Sequence, residues 1–215
     1  MILSKHLDEN EEEKINKKEL ARILDIYNTI PIQLSKENKK FKYSEINKNA
    51  RVREYFDSNM WLKEFGLINI CYNLSKLELP LDAYKIDDEF KIYVADNGLF
   101  IAMLEKETTN NILNGDLKIY KGAIFENIIA DAFAKNAKNL YYYSETRGLE
   151  IDFITKFDDL VTLVEVKATN GNAKLLKEVL INSKYDVHKA FKLIDGNISI
   201  DNDTINIPLY MAYLI

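Results

Sequence analysis

Two carboxylates of the C-terminal half, Asp152 and Glu165, have a spacing that could bring them together on a metal ion. Two runs rich in Ile, Val, Phe and Thr flank Asp158-Asp159, so residues 148–168 predict a β-hairpin with a two-residue turn. In that register Asp152 lies directly opposite Glu165. Like charges in such a position destabilise a sheet. The pair therefore requires a compensating cation, and a divalent metal is the natural candidate.

The same register predicts one charged face and one apolar face for the hairpin. Glu150 lies opposite Lys167, so both belong to the face of Asp152 and Glu165. Lys167 is therefore a second candidate for the compensating cation. The other face, toward the core, is predicted to carry Ile151, Phe153, Val164 and Val166. The alternative is a solvated face of mixed charges, since Glu-x-Lys also occurs elsewhere in the chain.

A third carboxylate, Glu126, lies inside a strongly apolar helix predicted over Lys118–Lys135. Its neighbours three and four residues away are glycine, alanine and isoleucine, so it has no ion-pair partner within the helix. Asp131, by contrast, can pair with Lys135. Burial of an unpaired carboxylate is costly. Glu126 must therefore reach solvent at the helix edge or face a cation from another part of the chain.

Composition excludes several classes of protein. The 215 residues carry a net charge of -5, and nearly half of them are hydrophobic, which supports a folded core and argues against wholesale electrostatic binding of nucleic acid. Cys71, His6 and His188 are too few for a disulfide framework or a Cys/His zinc site. No phosphate-binding loop, signal peptide or membrane span is recognisable. These features predict a cytoplasmic chain with no ATPase machinery of its own.

The N-terminal half, residues 1–104, follows the order of a winged helix-turn-helix. Apolar residues recur at helical spacing over Lys14–Tyr27 and Arg51–Phe65, with short helices between them, and Pro31 is predicted to end the first pattern. The period then changes to two over Leu67–Leu74 and Phe90–Ala95, which predicts a β-hairpin, the wing.

A basic cluster covers the start of the predicted recognition helix. Between positions 36 and 54 the sequence contains seven positive residues and only three glutamates. Such a cluster is the expected footprint of phosphate contacts with DNA. The alternatives are a winged helix that binds protein and a charge run that is only a solvated face. The candidate nucleic-acid-binding residues are Lys36, Lys39, Lys40, Lys42, Lys48, Arg51 and Arg53.

A Thr- and Asn-rich segment, residues 105–116, is predicted to link the two halves. From residue 117 to 215 the order is helix, three strands, helix and two strands, which predicts helices packed on a small mixed sheet. The whole chain is therefore predicted to be an α/β (α+β) protein with two domains.

This arrangement resembles the PD-(D/E)XK nuclease superfamily. The matching positions are Glu126 in KGAIFENIIA, Asp152 in GLEIDFI, and Glu165 with Lys167 in VEVKA. Ile151 stands where the superfamily name has proline. Nearly the whole chain also resembles a family of uncharacterised bacterial and archaeal C-terminal domains that usually follow an AAA-type ATPase module. The phrases IPIQLSKENKKFKYSEI and NIPLYMAYLI contribute to this second resemblance.

The first resemblance implies a restriction-endonuclease-like fold and metal-dependent cleavage of DNA. Asp152 and Glu165 would bind Mg²⁺, or Mn²⁺ as its substitute, and Glu126 would add a ligand directly or through water. Lys167 would orient or deprotonate the attacking water. The second resemblance implies an attached ATPase module as a partner. Two other hypotheses remain open, a DNA- or protein-binding module that does not cut and an assembly domain without nucleic-acid contact.

Overall fold

The described part of the chain contains a mixed sheet of eight strands, against which the helices pack. The computed structural model describes residues 17–48, 51–117, 120–145, 148–167, 174–201 and 204–215. The strands lie in the order β2-β1-β3-β4-β5-β6-β8-β7. Their bounds are β1 Ile68–Leu74, β2 Lys85–Val94, β3 Leu140–Ser144, β4 Glu150–Phe157, β5 Leu160–Lys167, β6 Lys189–Ile194, β7 Ser199–Asp201 and β8 Thr204–Pro208.

Helices cover both faces of this sheet, and the mixed α/β class predicted from the sequence is confirmed. One core cluster holds side chains of α1, α2 and α5, and a second holds side chains of α6. The helices are α1 Lys17–Leu34, α2 Val52–Glu64, α3 Asn97–Ala102, α4 Lys106–Leu113, α5 Lys121–Lys135 and α6 Lys174–Ile181. Short 3₁₀ segments cover Tyr43–Glu45, Leu81–Tyr84 and Leu209–Leu214.

The hairpin predicted as a wing belongs to this sheet, and the winged-helix assignment is not confirmed. β1 and β2 pair antiparallel, as predicted, but β1 also pairs in parallel with β3 through Cys71 and Leu140. The physical reason is burial on both faces of β1. Ile70 and Cys71 point in opposite directions, and both are buried. A strand of that kind requires packing against both of its faces, which differs from a wing with one face in solvent.

The hairpin predicted in the C-terminal half is present with its two-residue turn. Asp158 and Asp159 have φ angles of 50° and 61°, which is the left-handed backbone of a type I′ turn. The predicted register is confirmed from Phe157 opposite Leu160 to Phe153 opposite Val164. At Phe153 and Val164 the regular pairing ends, just before the residues predicted to do chemistry.

One prediction about the faces of this hairpin is wrong. Phe153 and Val164 lie in the first core cluster as expected, but Ile151 lies in the second cluster with Ile154. The pairing of β3 with β4 shifts register between Tyr141 and Tyr143. Such an irregularity inserts a residue into the alternation and turns the side chains beyond it to the other face.

Two boundaries in the N-terminal half also differ from prediction. Pro31 does not end the first helix, because α1 continues through it to Leu34 with Pro31 itself buried. The predicted start of that helix at Lys14 lies outside the described residues. The segment predicted as a linker contains helix α4. Within the described ranges, no helix combines the length and apolar character that a membrane span requires.

Candidate functional site

Helix α5 carries Glu126 into the interior, where it binds a cation, one of the two alternatives that its sequence context left open. Glu126 is buried, and its Oε1 accepts a hydrogen bond and ion pair from the Lys39 ammonium. Its Oε2 accepts a hydrogen bond of 3.2 Å from the Tyr93 hydroxyl. Lys39 and Tyr93 belong to the N-terminal half, residues 1–104, which was predicted from the sequence to be a separate domain. The site therefore combines residues from both halves of the chain.

Asp152 lies where β4 and β5 stop pairing. Its Oδ2 accepts a hydrogen bond of 2.8 Å from the backbone amide of Val166, so a side chain replaces a strand partner at this point. Burial raises the pKa of Asp152 well above its ordinary value, and the charges of Glu126 and Glu165 raise it further. The carboxylates predicted to act together are therefore close enough to interact electrostatically.

Glu165 and Lys167 form an ion pair on β5, with Oε1 and Nζ 2.5 Å apart. Only 5% of Glu165 is exposed, and its Oε2 has no hydrogen-bond partner among the described residues. Burial raises the pKa of Glu165, while Lys167 opposes that shift. Burial disfavours the charge on Lys167, but Glu165, Asp152 and Glu126 together outweigh it and raise the pKa of Lys167. The pair is thus ionic, with Glu165 buried and incompletely satisfied and Lys167 partly exposed.

Lys91, which was not among the predicted site residues, belongs to the same cluster. It is 0% exposed, and its Nζ lies 2.6 Å from Glu150 Oε1 and 4.7 Å from the centroid of the Tyr142 ring. Glu150 was predicted to face Lys167, and its ion pair is instead with Lys91, because the pairing of β4 with β5 ends before Glu150. Burial disfavours the Lys91 charge, but Glu126, Glu150 and Asp152 outweigh it and raise its pKa.

A cleft of about 720 Å³ is lined by Asp152, Glu165 and Lys167. The segment that carries Lys39 forms one wall, and the ends of β4 and β5 form another. Acidic side chains outnumber basic ones along the lining, so the cleft favours cations over anions. The charged lining residues are Glu37, Lys39, Lys40, Glu89, Glu145, Glu150, Asp152, Glu165 and Lys167.

The seven basic residues predicted to bind nucleic acid divide into two groups. Three of them form ion pairs with carboxylates: Lys36 with Glu45 at 2.7 Å, Lys40 with Glu89 at 2.8 Å, and Lys39 with Glu126. The other four are exposed: Lys42, Lys48, Arg51 and Arg53. Of the seven, Lys39 and Lys40 line the cleft. DNA contact by this set stays a prediction.

Asn127 fixes the position of Glu126, and the sequence analysis did not single it out. Its Oδ1 accepts a hydrogen bond of 2.8 Å from the Val94 amide, and its Nδ2 donates one of 2.9 Å to the Val94 carbonyl. The side chain thus pairs with the end of β2 as another strand would. This contact fixes the position of α5 relative to β2 and places Glu126 next to Tyr93.

Replacing Asn127 with alanine is expected to destabilise the protein by about 3 kcal/mol, because both backbone groups of Val94 lose their partners inside the core. Urea unfolding followed by circular dichroism measures this change. The exposed Asn110 of α4 supplies the control, and Asn110→Ala should change the free energy of unfolding by less than about 0.5 kcal/mol. Equal effects of the two substitutions would show that Asn127 does not anchor the helix.

The fold and the site together define a mixed α/β protein with a cleft of buried carboxylates and lysines. Residues 3–110, just over half of the chain, match the family model described as Domain of unknown function (DUF8612), and the chain belongs to this family. Residues 121–212 match a second model, Domain of unknown function (DUF4143). No curated protein and no solved structure matches the chain. The two matches meet near the predicted linker, and the sheet is continuous across that boundary.

Proposed function

We propose that this chain is a nuclease-like DNA-binding region that hydrolyses phosphodiester bonds with Mg²⁺. The observation that carries the proposal is the convergence of three predicted site elements on one cluster. Glu126 comes from α5, Asp152 from β4, and Glu165 with Lys167 from β5. Asp152 and Glu165 line the cleft with Lys167, and the charge of Glu126 acts on all three. These are the positions that carry the resemblance to PD-(D/E)XK nucleases.

The chemistry of the donor set fits Mg²⁺. Carboxylate oxygens are the ligands this ion prefers. Glu165 Oε2 is a buried oxygen without a hydrogen-bond partner in the described part of the chain, and such an atom suits a cation. Within the same described ranges, no group of three or more acidic, histidine or cysteine side chains is arranged so that it could hold a metal ion. Lys39 and Lys167 are ion-paired with two of the three predicted ligands, so these lysines must shift for a metal to bind.

Each residue of the cluster has a role in this proposal. Asp152 and Glu165 hold the ion, and Glu126 holds it directly or through water. Mg²⁺, when bound, acts as a Lewis acid on the phosphodiester and on water. Lys167, at the mouth of the cleft, orients the attacking water or offsets the charge that develops on the phosphate. The family match of residues 121–212 supports the further proposal of an attached ATPase module as partner.

Cleavage of plasmid and branched DNA with Mg²⁺ or Mn²⁺ tests this function. Asp152→Ala should reduce the rate by more than the roughly 10- to 100-fold that loss of an outer-shell partner costs, because a direct ligand is removed. The exposed Asp195 provides the matched control, and Asp195→Ala should cleave as the wild type does. Equal cleavage by the wild type and Asp152→Ala would contradict the assignment of the site.

A second candidate is a module that binds DNA or protein for an attached ATPase without cutting. The observation that favours it is that Glu126 and Glu165 are each already ion-paired with a lysine. This candidate predicts no cleavage by wild type or variant, together with DNA binding that weakens as salt rises. Absence of both cleavage and DNA binding would favour an assembly domain instead.

A further inference from the structure

The ion pair between Lys39 and Glu126 joins a loop at the mouth of the cleft to the buried carboxylate of α5. The backbone on the C-terminal side of Lys39 is fixed in place. The Lys42 amide donates a hydrogen bond of 2.7 Å to Gln33 Oε1, and the Phe41 amide donates one of 2.8 Å to the Phe90 carbonyl. The Lys39 side chain is therefore the part of this loop that can change partners without unfolding it.

Both carboxylate oxygens of Glu126 already hold a hydrogen-bond donor while Lys39 is bound. Its Oε1 holds the Lys39 ammonium, and its Oε2 holds the Tyr93 hydroxyl. A divalent cation and the ammonium carry charges of the same sign and compete for the same carboxylate. The neighbouring Glu165 Oε2, buried and without a hydrogen-bond partner among the described residues, lies in the same electrostatic cluster. A cation drawn to that oxygen meets Lys39 as a competitor.

The lysines of the cluster differ in how easily their ammonium groups can move away from the carboxylates they pair with. Lys91 is 0% exposed and lies against the Tyr142 ring, so its ammonium has no surface open to solvent. The Lys39 side chain is 18% exposed and lines the cleft directly. Four methylene groups let its ammonium move from Glu126 into the cleft while the backbone stays in place.

We propose that Lys39 exchanges between two partners: it holds Glu126 until a divalent cation takes that carboxylate, and then binds a phosphate of the nucleic acid in the cleft. The exchange rests on the proposed function and deepens it, because metal binding releases the positive charge that the acidic cleft needs to accept DNA. Lys39 is thereby both a competitor of the metal and a contact of the substrate.

Lys39→Met in the full chain tests the exchange, because the two roles predict effects of opposite sign. Calorimetric titration with Mn²⁺ alone should show binding about tenfold tighter than in the wild type, since the competing ammonium is gone. Anisotropy of a labelled DNA duplex in Ca²⁺ should show binding about tenfold weaker, with a salt dependence reduced by about one phosphate contact. A variant that merely damages the fold would weaken both.

The control is Lys189→Met, which removes another partly exposed, ion-paired lysine, bonded to Asp158 at 2.7 Å on the hairpin turn. It should change neither Mn²⁺ nor DNA binding. Mn²⁺ affinity that is equal or weaker in Lys39→Met than in the wild type would overturn the exchange, even where the wild type cleaves DNA. Tighter Mn²⁺ binding with no DNA binding by either protein would support the competition for Glu126, and would overturn both the phosphate contact and the proposed nuclease function.

Discussion

Replacing Lys91 with methionine is expected to destabilise the folded protein by about 3 kcal/mol. Methionine has nearly the same length and fills the same space, so the change removes charge and little packing. Glu150, 30% of whose side chain is exposed, loses its ion-pair partner, and Glu126 and Asp152 lose a nearby positive charge. Removal of one member of a buried pair costs roughly 3–5 kcal/mol. Because Glu150 is partly exposed, the expected loss of stability lies at the lower end of this range.

Chemical denaturation of the variant beside Lys85→Met measures the effect. Lys85 lies on the same strand and pairs with Asp87 at 3.0 Å, but its side chain is 29% exposed and that of Asp87 is 78% exposed. A surface pair of that kind is worth about 0–1 kcal/mol. Equal losses for the two substitutions would mean that burial of Lys91 adds nothing to stability.

A double variant separates the ion pair from the wider cluster. Glu150→Gln in the Lys91→Met background removes the unpaired charge of Glu150, so it should recover only part of the lost stability. The remaining loss of stability comes from Glu126 and Asp152, which no longer have the positive charge of the lysine nearby. Full recovery would show that Lys91 acts on Glu150 alone, and it would remove Lys91 from the electrostatics of the carboxylate site.

The parts of this site that sequence could predict depend on local geometry. The turn at Asp158-Asp159 sets the register of the hairpin, and alternation along the strands then places Phe153 opposite Val164 as observed. For Glu126 the sequence narrowed the choice to solvent or a cationic partner, because burial of an unpaired carboxylate inside an apolar helix is costly. Both inferences used only residues within a few positions of one another.

The parts that sequence missed depend on contacts between distant segments. The ion pair of Lys39 with Glu126 was not predicted, because charge was summed along the chain, where the two residues are 87 positions apart. The predicted wing was wrongly isolated, because nothing local shows that β1 lies beside β3. One signal was present: Lys91 interrupts the apolar run from Phe90 to Val94, and a lysine inside such a strand needs a buried partner.

Asp152→Asn is expected to stabilise the protein at alkaline pH and to abolish the proposed metal binding. Burial and the charges of Glu126 and Glu165 hold the pKa of Asp152 well above its ordinary value. The folded state therefore keeps this proton to higher pH than the unfolded chain does. The stability that the proton contributes is fully present below the unfolded pKa, about 3.9, and is lost as pH rises through the folded value.

Asparagine carries no charge at any pH, and its Oδ1 can still accept the hydrogen bond from the Val166 amide that Asp152 Oδ2 accepts. The variant should therefore exceed the wild type by about 1 kcal/mol near pH 8, within the range typical of stabilising changes at functional sites, and the difference should vanish toward pH 4. Urea unfolding at several pH values measures it, with Asp195→Asn at an exposed position as control. A stability difference that stays constant with pH, or that grows as pH falls, would contradict this prediction. It would show that the folded state does not raise the pKa of Asp152 and that repulsion among the carboxylates of the cluster costs no stability.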